Sequence, residues 1–205
     1  MGVTTRSYDA TQRQAAAQER RDRAALVAAR LFAERGWTGT TIASVAAEAG
    51  VSVELVTKAF GGKPGLFMAA FRRASFVGGV DLPRAFADLG LDRDDDLDVR
   101  LDRLVEFACA SLVPMAPLVP VMTAGAEHDE ELRRLVHAAA LGHAETAREV
   151  VRLLAPGPVH PDMVDEVYVL TLAETYLAFV QQRGWSVERY AAWLRRSLRS
   201  AVAPR

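Results

Sequence analysis

The chain has one cysteine in 205 residues, Cys109. A single thiol excludes a disulfide framework and a cysteine-built zinc site. Cys109 lies in an apolar, helix-like stretch, so it is expected to be inert core. Runs of β-branched residues are short and no alternating strand pattern is found, which argues against a sheet-built fold. Internal repeats and low-complexity segments are also missing. No apolar run follows the early arginines, so a secretory leader is not expected. No apolar segment is expected to be long enough to span a bilayer. The expected location is a reducing cytoplasm, with no membrane partner.

Signatures of catalysis are missing too. There is no Ser-His-acid arrangement, no P-loop and no glycine-rich dinucleotide motif. The four histidines, His128, His137, His143 and His160, are scattered. His137 and His143 are six apart, so they cannot share a helix face as an i, i+4 metal pair does. No enzyme activity, metal site or cofactor is expected.

What remains is helix-forming material. The chain is 50% apolar, with abundant alanine, leucine, valine and arginine. An all-α fold follows. The overall charge of -1 hides an asymmetry. Residues 1–75 carry eleven Arg and Lys against six acids, whereas the remainder carries fourteen against twenty. A basic head on an acidic body suits nucleic-acid contact at one end.

Periodicity divides the chain into an arm over residues 1–18, a head over 19–65 and a body over 66–205. The arm lacks apolar periodicity. Arg6, Arg13, Arg20 and Arg21 suit either a solvated tail or a reach into a minor groove. A first helix is expected over 19–35, with Ala25, Ala28, Ala29 and Phe32 as its buried stripe, Leu26 and Ala33 widening it, and Gly36 ending it. A helix starting at Lys63-Pro64 follows the Gly61-Gly62 turn and carries Phe67, Ala70, Phe71 and Ala74. Gly78-Gly79 closes it. The body is expected to hold a short helix after Asp81 and one following the acidic patch 92–96 to about residue 113. Pro114, Pro117 and Pro120 then break the chain. Further helices are expected over 129–154, 161–182 and 186–202.

Residues 40–60, TTIASVAAEAGVSVELVTKAF, have the layout of a helix-turn-helix. Ala46 allows a close helix crossing. Gly50 supplies the positive φ of a sharp helix exit. Val51 packs beneath both helices, and Ser52 caps the second. Thr40 or Thr41 caps the first. Ile42, Val45 and Ala49 face Val56 and Phe60, which leaves Val53, Glu54, Thr57 and Lys58 outward. Such a motif places its second helix in the DNA major groove. An ordinary helical hairpin is the plain alternative.

The segment LVAARLFAERGWTGTTIASVAAEAGVSVELVTKAFGGKPGLFMAAF resembles the DNA-binding domain of the tetracycline-repressor (TetR) family of bacterial transcriptional regulators. The resemblance is carried by the F-x-x-x-G-W-x-x-T-T-I run, the A-G-V-S turn and the F-G-x-K-x-x-L exit. The run ETYLAFVQQRGWSVERYAAWL resembles the C-terminal end of many members. The resemblance implies a dimer that binds operator DNA and responds to a small effector, mostly as a repressor. It implies phosphate contacts at Thr40, Thr41, Ser52 and Lys63, and groove contacts at Val53, Glu54, Leu55 and Lys58. Thr57 departs from the pattern, since a phosphate-binding tyrosine is usual there. Leu55 stands where a threonine is common. Thr57 therefore also supports an alternative, a helical ligand- or protein-binding module that has lost DNA binding.

In the body, the apolar residues of 161–182 form two stripes. Val164, Val167, Tyr168, Thr171 and Thr175 mark one; Leu170, Ala173, Leu177 and Val180 mark the other. A helix apolar all round needs cover all round. A homodimer through the last two helices, with Tyr190, Trp193, Leu194 and Leu198, supplies it. The resemblance implies a ligand pocket, for which Phe107, Met115, Met122, His137, Tyr168 and Tyr176 are the candidates. An apolar pocket with a few polar groups suits a hydrophobic effector.

Overall fold

A computed structural model describes residues 4–75, 82–93 and 96–204. Every regular element among them is helical. The head comprises α1 (Thr4–Gly39), α2 (Ile42–Ala49) and α3 (Val53–Phe60). Helix α4 (Lys63–Ser75) leads out of it. The body holds α5 (Leu82–Leu89), α6 (Leu97–Met115), α7 (Val119–His128), α8 (Glu130–Leu154), α9 (Pro161–Leu170), α10 (Ala173–Leu177) and α11 (Val187–Ala201).

Helix α1 starts at Thr4, not near residue 19, so the segment expected to be an irregular arm is helical from there. The segment's Ala, Gln and Arg favour helix without an apolar stripe. The helix breaks at Gly36, where φ is 69°. The buried stripe is Ala24, Ala25, Ala28, Leu31 and Phe32. Leu26 and Ala33, expected to widen it, are exposed.

Helix caps follow from side-chain chemistry. Thr41 and Ser44 form a capping box on α2, and Ser52 caps α3. Asp129 caps α8 and Ser186 caps α11. Each accepts a backbone N–H that the first helical turn leaves without a partner. The Gly78-Gly79 stop and residues 94 and 95 of the acidic patch lie outside the described residues. Asp96 caps α6.

The prolines do not break the chain as expected. Pro114 sits in the last turn of α6, a 3-10 turn spans Ala116–Leu118, and α7 resumes directly. Pro117 and Pro120 occupy first-turn positions, where a missing N–H costs no hydrogen bond. The resulting run, Leu97–His128, is long and apolar enough to cross a membrane by length and composition. That corrects the expectation that no segment qualifies. Its buried residues, including Leu101, Leu104, Leu112, Leu118 and Val121, are packed in the protein's own cores.

The helix expected over 161–182 is also interrupted. Thr171 turns its hydroxyl back to donate to the Val167 carbonyl at 2.8 Å, and Leu172 is extended with ψ 142°. A π-helical stretch, Ala178–Gln182, follows α10. Met163, Val164, Val167, Ala173, Tyr176 and Leu177 are buried, while Val169 is exposed.

Two apolar clusters organise the molecule. One lies in the body between α6, α8, α9, α10 and α11. The other is the core of the head, closed from outside by Leu118, Val121 and Leu132 of the body. Phe71 of α4 packs against both clusters. Outside the cores, Asp98 and Asp102 of α6 form ion pairs with Arg195 and Arg199 of α11.

Candidate nucleic-acid interface and ligand cavity

The α2–α3 pair is built from the turn upward. Gly50 has φ 65°, the left-handed region that closes α2. The Val51 N–H donates to the Ala46 carbonyl at 3.0 Å. Val45, Ala46, Ala49 and Val56 are buried, and Phe60 is half-buried. This packing fixes which side of α3 faces solvent. Val53, Glu54, Thr57 and Lys58 are exposed and Leu55 is half-buried. Val53 keeps 49% of its surface exposed, a large fraction for an apolar side chain in the middle of a folded head.

Thr41 and Ser52 lie exposed at the two helix N-termini. The Thr41 hydroxyl oxygen accepts from the Ser44 N–H at 3.0 Å, and the Ser52 oxygen accepts from the Leu55 N–H at 3.1 Å. Both sites combine hydroxyls with the positive end of a helix dipole, which favours an anion. Thr40 differs. It is fully buried, and its hydroxyl lies 3.0 Å from the Leu31 and Gly36 carbonyls. It ties the end of α1 to the start of α2 inside the head, so it presents no surface to DNA.

Lys63 stands at the start of α4 with its ammonium 4.5 Å from the Trp37 ring centroid. That is a cation–π contact. Burial lowers its pKa from the ordinary lysine value, and Asp129 opposes the shift. Trp37 stacks on Phe32 at 5.7 Å and meets Phe67 edge-on at 5.8 Å. Gly125 of α7 abuts the same indole, since a Cβ there would lie 2.8 Å from the ring. The candidate phosphate contact thus sits on an aromatic block that joins head and body. Neither Trp37 nor Gly125 carries a local sequence signal for such a role.

A cavity of about 530 Å³ opens between α4, α5, α6 and α8. Phe107 and Met115, two of the expected ligand residues, line it along with Met68, Phe71, Leu104 and Val150. The other four do not. Met122 is half-buried between the two clusters, and His137 is exposed on α8. Tyr168 is half-buried beside His143, and Tyr176 packs edge-on against Tyr190 at 5.1 Å. His143, not His137, reaches the cavity. The sequence did carry a signal for this. Leu135, Ala139, His143, Ala147 and Val150 recur at three- and four-residue steps along α8, and His137 falls off that stripe.

His143 is held by Thr171. The Thr171 hydroxyl donates to Val167, so its oxygen accepts from the His143 Nε2–H at 3.1 Å, while the Tyr168 carbonyl lies 3.3 Å from the same nitrogen. Burial lowers the His143 pKa from its ordinary value, partly offset by the Tyr168 carbonyl and by Glu174. The imidazole therefore faces the cavity uncharged at neutral pH. Ser111, also on the wall, has a buried hydroxyl with no hydrogen-bond partner in the protein. No cluster of His, Cys, Asp or Glu suited to a metal ion occurs among the described residues.

Comparison with known proteins agrees with this geometry. Residues 26–70 match the family described as bacterial regulatory proteins, tetR family. Among solved structures, a Rhodococcus sp. protein described as a TetR-family transcriptional regulator is 26% identical, with a TM-score of 0.65 over 90% of this chain and 99% of that one. NalD of Pseudomonas aeruginosa, the secondary repressor of the MexAB-OprM multidrug efflux pump, is 19% identical with a TM-score of 0.63, over 91% and 98% of the two chains. The multidrug binding protein EbrR, solved with imidazole, is 19% identical with a TM-score of 0.57, over 91% and 92%. A search of the curated proteins gives no match.

Proposed function

We propose that this chain, whose residues 26–70 match the tetR family of bacterial regulatory proteins, is a dimeric repressor that leaves its operator when a small apolar effector fills the body. One observation carries the DNA-binding part. The α3 face from Val53 to Lys58 is exposed, and the capped N-termini of α2 and α3 lie beside it. Thr41, Ser52 and Lys63 would hold phosphates and set the orientation. Val53, Glu54, Leu55 and Lys58 would face base edges and choose the sequence. Glu54 suits a cytosine amine.

Dimerisation through the segments 161–182 and 186–202 would set two copies of α3 about one DNA turn apart, roughly 34 Å. Exposed Val169 and half-buried Leu172, Phe179, Val180 and Trp193 offer apolar surface there. Relatives named for multidrug binding and for repressing an efflux pump support an effector role for the cavity. The cytoplasm is the matching location.

Helix α4 is the proposed link. Its first residue is Lys63, while Phe71, Arg72 and Ser75 farther along line the cavity. An effector that binds better with α4 displaced would lower DNA affinity by the same coupling factor, commonly 5- to 150-fold. The test is a mobility-shift titration with DNA flanking the protein's own gene, followed by the native mass of the complex. Two chains per duplex are expected. No shift with any flanking duplex would instead favour a module that has lost DNA binding, the reading that Thr57 supports.

A further inference from the structure

We propose that the body cavity selects amphipathic monoanions, an apolar chain or ring system ending in a carboxylate, with Arg72 receiving the carboxylate at the mouth. The inference rests on the effector reading of this cavity and narrows it to one class of ligand. Three observations carry it. Most of the wall is apolar, including Phe71, Leu104, Phe107 and Val150. Among the described residues, the wall includes Arg72 but no aspartate, glutamate or lysine. Arg72 is also exposed, so it is open to solvent at the cavity wall.

The chemistry follows from that distribution. An apolar chain gains by leaving water. A carboxylate loses hydration unless it meets a donor, and a guanidinium offers a planar pair of donors that match it. A carboxylate kept near the mouth stays partly hydrated, which reduces its desolvation cost. A quaternary ammonium of the same shape would face Arg72 with no compensating acid among the described wall residues. Deeper in, the Ser111 hydroxyl and the uncharged His143 can serve a neutral polar atom on the chain. Carboxylates do lie nearby, at Asp92, Glu145 and Glu149, in an adjoining depression that shares Phe86 and Thr146 with the cavity. Glu149 there is already hydrogen-bonded to Arg152.

Three probes of equal chain length separate the outcomes: decanoate, decanol and decyltrimethylammonium. Each is titrated calorimetrically into the full-length protein at neutral pH, below its micelle concentration. Decanoate is expected to bind about ten-fold more tightly than decanol, a value reduced for the exposed guanidinium. Arg72→Gln should erase that preference and leave decanol unchanged, and Arg72→Lys should keep part of it. Decanoate no tighter than decanol, an ammonium that binds best, or no binding by any probe would overturn the proposal. A decanoate preference that survives Arg72→Gln would overturn it equally. DNA affinity measured with decanoate saturating is a separate readout. Selective binding without DNA release would leave the ligand class standing and remove the induction scheme.

Discussion

At the scale of single residues, two glycines make opposite predictions from their surroundings. A Cβ on Gly65 in α4 would lie 1.9 Å from the Phe60 backbone oxygen. A backbone atom cannot rotate aside, so Gly65→Ala must separate α3 from α4. The expected cost is about 1–3 kcal/mol, or roughly 2–4 °C in Tm per kcal/mol for a chain of this size. Gly142 in α8 has nothing within 4 Å of its added Cβ. Gly142→Ala is expected to stabilise by about 0.5–1 kcal/mol through reduced chain entropy. Thermal melts of the two variants check both signs.

His143 makes a pH prediction at the same scale. Its folded pKa lies below the ordinary 6.5. In the window between those values the unfolded chain binds the proton more readily. Stability is therefore full above about 6.5 and falls as pH drops through it. The wild type should lose more Tm between pH about 7.5 and about 5.5 than His143→Gln does. An identical loss in both would show that the cavity histidine does not contribute.

At the scale of elements, the head was largely legible in the sequence and the body only in part. The α2 and α3 boundaries follow from local chemistry. Thr41 and Ser52 open the helices, Gly50 and Gly61 close them in left-handed backbone, and short amphipathic stripes lie between. Ser52→Ala should cost about 1 kcal/mol, seen as a lower Tm, because the Leu55 N–H loses its acceptor. Helix α8 was equally plain, from its Asp129 cap to Leu154. The prolines misled because their effect depends on register, and first-turn positions tolerate what interior positions do not. The turn at Thr171 and Leu172 had no local signal. His143 of another helix meets it there, 3.1 Å from the Thr171 oxygen. Tertiary contacts of that kind cannot be read from spacing. Of the cavity wall, Phe107 and Met115 were expected from the sequence, His143 lay on a legible α8 stripe, and Arg72 had no local signal.

At the scale of the whole molecule, head and body share structure and do not merely adjoin. Leu118, Val121 and Leu132 complete the head's core, and Gly125 fits against Trp37. A Cβ on Gly125 would lie 2.7 Å from Leu132 and 2.8 Å from the indole. That indole is packed by Phe32 and Phe67 and carries Lys63. Gly125→Ala is therefore expected to shift α7 against the head. DNA binding and ligand binding should each persist while the ratio of DNA affinities with and without ligand changes. An unchanged ratio, with both bindings intact, would move the coupling away from this part of the molecule.

The central claim is that the α3 face enters the DNA groove while the start of α4 meets the DNA backbone. Fluorescence anisotropy with DNA flanking the protein's own gene, titrated across salt concentrations, tests it most directly. The wild type should bind more tightly as salt falls, with a log–log slope reporting how many phosphates the protein neutralises. Lys58→Ala with Lys63→Ala should weaken binding and lower that slope by about one for each lysine that meets a phosphate. Binding that ignores salt, or a double variant with the wild-type slope and affinity, would contradict the account.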